Sequence, residues 1–363
     1  MNNNLNYFFN EKSKDFLKKY LNTPSPVSFE EKGQKIWKDY IKSYVDKFEL
    51  DIYGTAVGII NSNKSYKVVI EAHVDEISWY INYISHEGFL YVERNGGSDH
   101  QIAPSKKVCI HTEKGIIYGV FGWPAIHTRN FLEEKNTNEN NLFVDIGASS
   151  KKEVEKLGVH VGCIITYPDK FFILNNKYFV CKALDNKIGG FILAEIARTI
   201  KKKKIKFLFS LYLVNSVQEE VGLRGAKMIS HKIRPNVAII TDVSHDTSTP
   251  RINKKIQGDI KCGLGPIISY SPSIQNNLRK LIIKTAIEKN ITFQRLVSPI
   301  YTATDTDAFA YSNGGVVSAL ISLPLRYMHT TVEMVKISDV KNVINLFIEI
   351  LKKIQNNQNF KYF

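Results

Sequence analysis

Two adjacent glutamates between a buried strand and a glycine-containing turn constrain this chain most strongly. The stretch reads Val217-Gln218-Glu219-Glu220-Val221-Gly222. It follows the apolar run of residues 205–214, which has the composition of a buried strand. Gly222 and Gly225 then break the pattern, and a helix can begin at Ala226. The glutamates are therefore predicted at the carboxyl end of a buried strand, the edge at which open α/β sheets gather their ligand-binding groups.

Two unpaired carboxylates at such a position repel one another and are costly to desolvate. One interpretation is structural, with Arg224 or helix N-termini as partners. The other is that one carboxylate binds a metal ion while its neighbour takes a proton. The second interpretation predicts further metal ligands elsewhere in the chain.

Further side chains of that kind follow other strand-like segments. They are His73, Asp185, Asp242 and His329, which join Glu220. Each residue alone has a structural explanation, but five at successive strand ends favour a site. Two imidazoles and three carboxylates suit a pair of divalent ions bridged by one carboxylate, with open positions for water and substrate.

The pattern of helix and strand signals divides the chain into a discontinuous α/β domain and an insert. Residues 1–76 and 181–363 combine helical periodicities with buried strands. Residues 77–180 hold short strand-like segments separated by Gly, Asn and Asp turns. Spacing of that kind predicts a small all-β module, a barrel or a sandwich.

Composition and charge limit the class of protein. A chain of 363 residues with 44% hydrophobic and 23% charged residues is typical of a globular protein. The net charge of +14 suits an anionic partner, but no basic stretch interleaves with aromatic residues, so nucleic acid is not expected. The four cysteines lie far apart, as in reduced cytosolic proteins. No signal-peptide layout or apolar run of about 18 residues is present, which predicts a cytoplasmic protein without a membrane partner.

Five motifs in the same order resemble those of the tetrahedral (deblocking or glutamyl-type) aminopeptidases, dinuclear metallopeptidases of which some relatives are called endoglucanases. The motifs span nearly the whole chain: Ala72-His73-Val74-Asp75-Glu76-Ile77, Val144-Asp145-Ile146-Gly147-Ala148, Lys182-Ala183-Leu184-Asp185, Gln218-Glu219-Glu220-Val221-Gly222-Leu223-Arg224-Gly225-Ala226 and Arg326-Tyr327-Met328-His329. The resemblance implies a zinc-peptidase-like α/β/α catalytic domain with a mixed central sheet and an inserted barrel-like domain that mediates dimer contacts. It also implies assembly of dimers into a dodecamer.

The resemblance implies a role for each site residue. His73, Asp185 and Asp242 would hold one metal ion, and Asp185, Glu220 and His329 the other, so that Asp185 bridges them. Asp75 would accept a hydrogen bond from His73 and fix its tautomer. Glu219 would be the general base, and Asp307 would support the site unless it only caps a helix.

The expected activity is hydrolysis of the N-terminal residue from short peptides with a free N-terminus, an EC 3.4.11-type reaction. Zinc is the favoured metal, with cobalt and manganese as alternatives. Other amide or deacylase chemistry, an endoglucanase-like activity and a non-catalytic basic scaffold stay open as alternatives. Three departures from the family pattern bear on substrate and assembly: Asn186-Lys187, Ser78-Trp79 and the Asn95-Gly96-Gly97 turn.

Overall fold

A computed structural model describes residues 9–129 and 137–363. The strands in these parts of the chain are β1 (Lys47–Leu50), β2 (Ala56–Ile60), β3 (Lys67–His73), β4 (Ser78–Ile84), β5 (Leu90–Asn95), β6 (Lys107–Thr112), β7 (Gly115–Phe121), β8 (Phe143–Asp145), β9 (Ile164–Thr166), β10 (Phe172–Leu174), β11 (Tyr178–Cys181), β12 (Ser210–Ser216), β13 (Val237–His245), β14 (Ile267–Tyr270), β15 (Gln294–Val297), β16 (Val317–Arg326) and β17 (Glu333–Lys336). The helices are α1 (Glu11–Asn22), α2 (Glu31–Ile41), α3 (Lys151–Lys156), α4 (Leu184–Lys202), α5 (Arg224–Ile233), α6 (Lys254–Gln257), α7 (Asn276–Glu288), α8 (Asp305–Ala310) and α9 (Ile337–Lys353).

A mixed sheet of eleven strands forms the centre of the molecule. Its main order is β1-β2-β12-β3-β13-β16-β17-β11-β10, with β14 pairing β15 and β16. The four central strands, β12, β3, β13 and β16, run parallel. Their residues are almost all buried, because both faces of this part of the sheet are covered. The carboxyl ends of the four strands therefore meet at one edge.

Two groups of helices cover the sheet. Helix α4 packs on β3, β12 and β13, and it also contacts α9. Nearly every residue of α4 is buried, as expected of a helix that packs between a sheet and a second helix. Helices α5 and α8 pack on one another and on the same group of strands. The predicted α/β/α architecture with a mixed central sheet is confirmed.

The inserted module is a closed barrel of six strands in the order β4-β5-β8-β7-β6-β9. Its own core holds Trp79, Leu90, Val108, Phe121 and Ile165. The first four residues of β5 alternate between buried and exposed, as in a strand with one face on the barrel core. The predicted small β domain is therefore a barrel.

The strands refine the domain limits drawn from sequence. Residues 1–8 and 130–136 of the predicted domains lie outside the described residues. The barrel strands occupy residues 78–166, whereas β10 and β11 pair with β17 in the large sheet. Residues 172–180 were assigned to the insert because the change in sequence pattern that begins near residue 77 was taken to extend to residue 180. In the described parts of the chain, no helix is long and apolar enough to cross a membrane.

Candidate metal centre

The proposed metal ligands and Glu219 come from five different segments and meet at the carboxyl edge of the parallel strands. His73 ends β3, and Glu219 and Glu220 follow β12. Asp185 lies at the start of α4, and His329 follows β16. Asp242 lies inside β13, which continues to His245. The parallel pairing of β3 with β12 and β13 brings these positions together.

Asp185 lies between the two histidines. Its Oδ1 atom is 3.2 Å from Nε2 of His73, and its Oδ2 atom is 3.4 Å from Nε2 of His329. The two oxygens of one carboxylate thus face two different imidazoles. This is the arrangement that a bridging carboxylate requires.

The remaining acidic groups divide between the two histidines. Nε2 of His73 lies 3.7 Å from Glu219 Oε2 and 3.8 Å from Asp242 Oδ1. Nε2 of His329 lies 3.4 Å from Glu220 Oε1. The potential ligand atoms form two sets, and the atoms inside each set lie within 4.8 Å of one another. One set comes from His73, Glu219 and Asp242, and the other from Asp185, Glu220 and His329.

Acidic groups dominate the electrostatics of the cluster. Burial and the neighbouring carboxylates raise the pKa of Glu219 and Asp242 well above the ordinary values. Burial opposes a charge on His329, but Asp185 and Glu220 outweigh it and raise the pKa of His329 to about 11. Four carboxylates that face two imidazoles, those of Asp185 and Asp242 buried and those of Glu219 and Glu220 half-buried, are expected to need cations among them. Oxygen and imidazole nitrogen donors at these spacings fit two divalent ions of the zinc type.

Asp75 holds the segment with the two glutamates. It is fully buried, and its carboxylate accepts the backbone N–H groups of Glu219 at 3.0 Å and Glu220 at 3.1 Å. The Nδ1 atom of His73 lies 3.5 Å from Asp75 Oδ1 and 3.3 Å from the Asp75 carbonyl oxygen. The contact with His73 was the role expected of Asp75. Its two bonds to the backbone of the glutamates were not foreseen.

Glu333 holds the backbone of two proposed metal ligands, Asp185 and His329. This buried residue accepts the backbone N–H of Asp185 at 3.0 Å and that of His329 at 2.8 Å. Sequence reasoning did not select Glu333 as a site residue, although it stands only four positions after His329. A second acidic residue so close to a proposed ligand was the available signal.

The barrel contributes a turn to the site. The carbonyl oxygen of Gly97 lies 3.2 Å from Nδ1 of His329, so it can accept that N–H and leave Nε2 free towards Asp185 and Glu220. A Cβ atom at Gly97 would lie 2.5 Å from the same Nδ1 atom, which leaves no room for a side chain. Gly96 packs against Glu220 with a φ of +82°. The Gly96-Gly97 turn therefore packs directly against His329 and Glu220, although its sequence matched the family pattern only loosely.

Asp307 lies outside both sets of potential ligand atoms. Its Oδ2 atom accepts the backbone N–H groups of Thr302 at 2.8 Å and Ala303 at 3.0 Å. Those two residues line the cavity, so Asp307 shapes a loop of the wall. The side chain that caps α8 is Thr304, not Asp307.

A cavity of about 680 Å³ opens directly over the cluster. His73, Asp185, Glu219, Glu220, Asp242 and His329 form part of its lining. Residues of β13, α6, β15 and the loop before α8 complete the wall. The size is that of a site for a small molecule or a few residues of a peptide.

The fold and the cluster are those of a two-domain peptidase, and the sequence defines its family. The chain belongs to the M42 glutamyl aminopeptidase family, whose sequence model matches residues 54–346. It is 31% identical to the lysyl aminopeptidase of Pyrococcus furiosus over 344 residues, which are 94% of this chain and 97% of that protein.

Solved structures of the same fold are found among related archaeal enzymes. The TET aminopeptidase of the marine sediment archaeon Thaumarchaeota archaeon SCGC AB-539-E09 is 30% identical and superposes with a TM-score of 0.90, over 95% of this chain and 97% of that chain. The Pyrococcus horikoshii TET1 peptidase, which can assemble into a tetrahedron or a large octahedral shell, is 26% identical with a TM-score of 0.83 over 94% and 100% of the two chains. The suspected family is thus confirmed.

Proposed function

We propose that this chain is a dinuclear metallo-aminopeptidase that removes N-terminal residues from short peptides. Membership of an aminopeptidase family supports the peptidase class. The single observation that carries the two-metal form of the proposal is the position of Asp185, whose two oxygens face the imidazoles of His73 and His329. A carboxylate so placed can be shared by two ions.

The residues divide naturally between two ions. His73, Asp242 and Asp185 Oδ1 would hold one, and Glu220, His329 and Asp185 Oδ2 the other. When bound, the ions would lower the pKa of a shared water molecule and polarise the scissile carbonyl group. Zinc is the favoured metal, and cobalt or manganese can use the same nitrogen and oxygen donors.

Glu219 is the proposed general base. Asp75 fixes the backbone of Glu219, and the Glu219 carboxylate lies 3.7 Å from Nε2 of His73. Although Glu219 is a potential ligand by distance, assigning Asp185 to both ions leaves it available as a base. Its burial among other acidic groups raises its pKa, which favours a group that accepts a proton and gives it up again. We infer that Glu219 takes the proton of the attacking water and passes it to the leaving amine.

The acidic lining of the cavity supports an exopeptidase. Residues of the cluster, of α6 and of the loop before α8 line the same cavity. We propose that a peptide places its first residue at the cluster. Its free α-amine, which carries positive charge, would suit the acidic surroundings.

Assembly and location are proposed by analogy. The assembly of the TET1 peptidase into closed shells supports a homo-oligomer, and we propose dimers that associate into a dodecamer. We also propose that the protein acts in the cytoplasm on peptides that other proteases release.

Hydrolysis of a panel of aminoacyl chromogenic substrates tests the proposal. Metal-loaded wild type and Glu219→Gln are compared, with the metal content of both determined. We expect the wild type to release the first residue and the variant to lose about 10²- to 10⁴-fold in kcat while it keeps about two ions per chain. Blocking the substrate's α-amine by acetylation should abolish cleavage. Wild-type activity that survives complete removal of metal would contradict the mechanism.

A further inference from the structure

Three buried polar side chains beside the cluster take no part in the proposed mechanism. Ser216 ends β12, Glu71 lies in β3 and Asp305 is the first residue of α8. The three are at most 1% exposed. The Ser216 hydroxyl oxygen lies 2.5 Å from Glu71 Oε1 and 2.8 Å from Asp305 Oδ2. One hydroxyl group thus connects two strands of the sheet to a helix.

Ser216 is the group that holds both acids. A hydroxyl group has one proton to donate, so one of its two contacts needs a proton on a carboxyl group. The other oxygens of the acids, Glu71 Oε2 and Asp305 Oδ1, accept no hydrogen bond from the described residues. Buried polar groups are nearly always hydrogen-bonded, so the bonds to Ser216 are costly to lose.

Ser216 also begins the segment that carries the proposed base. Its carbonyl oxygen accepts the backbone N–H of Val74 at 2.9 Å. Three residues further on, Asp75 accepts the backbone N–H of Glu219 at 3.0 Å. Between these two bonds, Gln218 adopts a φ of +57°, which is uncommon for a residue with a side chain. The direction in which this turn leaves β12 therefore depends on how Ser216 is held.

Asp305 connects this segment to the wall of the cavity. It follows Thr304, which lines the cavity. Asp307 holds the loop before α8 separately, through two backbone N–H groups, so the bond between Asp305 and Ser216 is not needed to shape that loop. Burial raises the pKa of Glu219, and among its acidic neighbours Asp305 raises it furthest, as a carboxylate close to the base does.

We propose that Asp305 is a positioning residue for Glu219 and acts through the Ser216 hydroxyl group. This inference rests on the proposed peptidase function, in which Glu219 is the base. The bond joins α8 to the end of β12, where the turn that carries Glu219 begins. A reacting group that is misplaced by about 1 Å can lose about 10²-fold in rate.

Steady-state kinetics of metal-loaded variants test the inference. Ser216→Ala and Asp305→Ala each remove the bond. We expect kcat to fall about 10- to 100-fold in both, with KM within about threefold of the wild type and an equal metal content. Asp305→Asn should recover most of kcat, because an amide can both accept and donate a hydrogen bond at this position. Ser216→Ala removes a single oxygen atom, so it tests the bond even if Asp305→Ala does not fold.

Two further variants separate positioning from packing. Ser210→Ala is the matched control, since Ser210 is an equally buried serine at the other end of β12. It should lower the melting temperature without lowering kcat. Asp307→Ala should instead raise KM, because it loosens the loop of the wall.

Three kinetic results would overturn the inference. The first is a wild-type kcat in both Ser216→Ala and Asp305→Ala. The second is a loss of kcat in Asp305→Asn as large as that in Asp305→Ala. The third is an equal loss of kcat in Ser210→Ala, which would show a general effect of packing in β12.

Crystal structures keep the inference separate from the peptidase proposal. Relative to wild-type crystals with the same metal content, the Glu219 carboxylate should shift by about 1 Å in Ser216→Ala and stay in place in Ser210→Ala. If the wild type hydrolyses none of the substrates, the peptidase proposal fails. The position of Glu219 in Ser216→Ala then still decides whether the bond between Ser216 and Asp305 positions this side chain, and an unmoved carboxylate would contradict it.

Discussion

Two buried carboxylates, those of Asp75 and Glu333, hold the backbone of the proposed site residues in place. Asp75 accepts two backbone N–H groups from the segment of Glu219 and Glu220, and Glu333 accepts those of Asp185 and His329. Each therefore fixes two functional residues through their main chain. Supporting hydrogen bonds of this kind commonly change metal affinity by 10- to 100-fold.

At this scale the sequence selected residues that the structure brings together, but it did not predict their contacts with the backbone. His73, Asp185, Glu219, Glu220, Asp242 and His329 were all selected, because metal-binding residue types at strand ends are visible in one dimension. The bonds from Asp75 and Glu333 to backbone N–H groups were not visible, since they depend on how two loops pack. Asp307 was selected by a motif, yet its contacts are with the loop of Thr302 and Ala303.

Substitution Gly97→Ala tests whether the barrel turn is part of the site. The added methyl group would lie 2.5 Å from Nδ1 of His329, so the imidazole must move away from Asp185 and Glu220. We expect metal affinity, measured by competition with a chromogenic chelator, to fall about 10- to 100-fold. Gly115→Ala is the control, because it alters a barrel glycine with φ +130° and open space around it. Equal metal affinity of Gly97→Ala and wild type would contradict the role of the turn.

Three segments near the site are joined by one ion-pair network. Glu76, three residues after His73, contacts Lys182 and lies 3.2 Å from Nζ of Lys187. Glu76 also accepts the backbone N–H of Ser25 at 2.6 Å, while Lys187 donates to the Thr23 carbonyl oxygen at 2.6 Å. The loop between α1 and α2 is thus tied to the end of β3 and the start of α4. In the sequence, Lys187 stood out only as part of Asn186-Lys187, one of the departures from the family pattern.

The pH dependence of stability tests this network. Burial alone would raise the pKa of Glu76, but Lys182 and Lys187 lower it to about 2. A carboxylate whose pKa is lowered on folding stabilises the protein above its unfolded pKa, near 4.5, and loses that effect as pH falls through 2. The difference in unfolding free energy between metal-free wild type and Glu76→Gln should be constant from pH 7 to 5 and shrink by about 3 kcal/mol towards pH 2.

Urea denaturation at each pH provides the measurement. Glu113→Gln, at an exposed barrel position, is the control and should show no comparable change. A Glu76→Gln difference that stays flat or grows below pH 4.5 would show that the lysines do not stabilise the ionised carboxylate.

Element type followed from periodicity, while element limits depended on tertiary packing. The strand expected at residues 205–214 is wrong in its limits, since β12 begins only at Ser210. Helix α3 begins after Ser150, whose side chain accepts the backbone N–H of Glu153. Strand β2 begins only at Ala56, after a turn in which the Asp51 side chain accepts the backbone N–H groups of Tyr53 and Thr55.

At the scale of the whole molecule, the barrel exposes an apolar row that the isolated chain does not cover. Ile116, Tyr118 and Val120 on β7 are 47%, 71% and 45% exposed. Alternation along the strand places all three on the outer face. The sequence predicted the barrel but not this row, because inward and outward positions are distinguished only once the strands are paired.

An oligomer would bury this row against a second copy. Light scattering of the wild type should give a mass several times the 41.4 kDa of one chain. Tyr118→Lys should lower that mass, because a lysine placed in an apolar interface must be desolvated. Tyr311→Lys, an equally exposed tyrosine on the catalytic domain, controls for the added charge. A wild type that remains at the mass of one chain would contradict assembly.

The central claim is that Asp185 is shared by two metal ions. Anomalous diffraction from crystals of zinc-loaded protein, measured on both sides of the zinc absorption edge, tests it most directly. We expect two peaks of anomalous density on opposite sides of the Asp185 carboxylate. One should be contacted by His73 and Asp242, and the other by Glu220 and His329. A single peak, or zinc bound without Asp185, would contradict it.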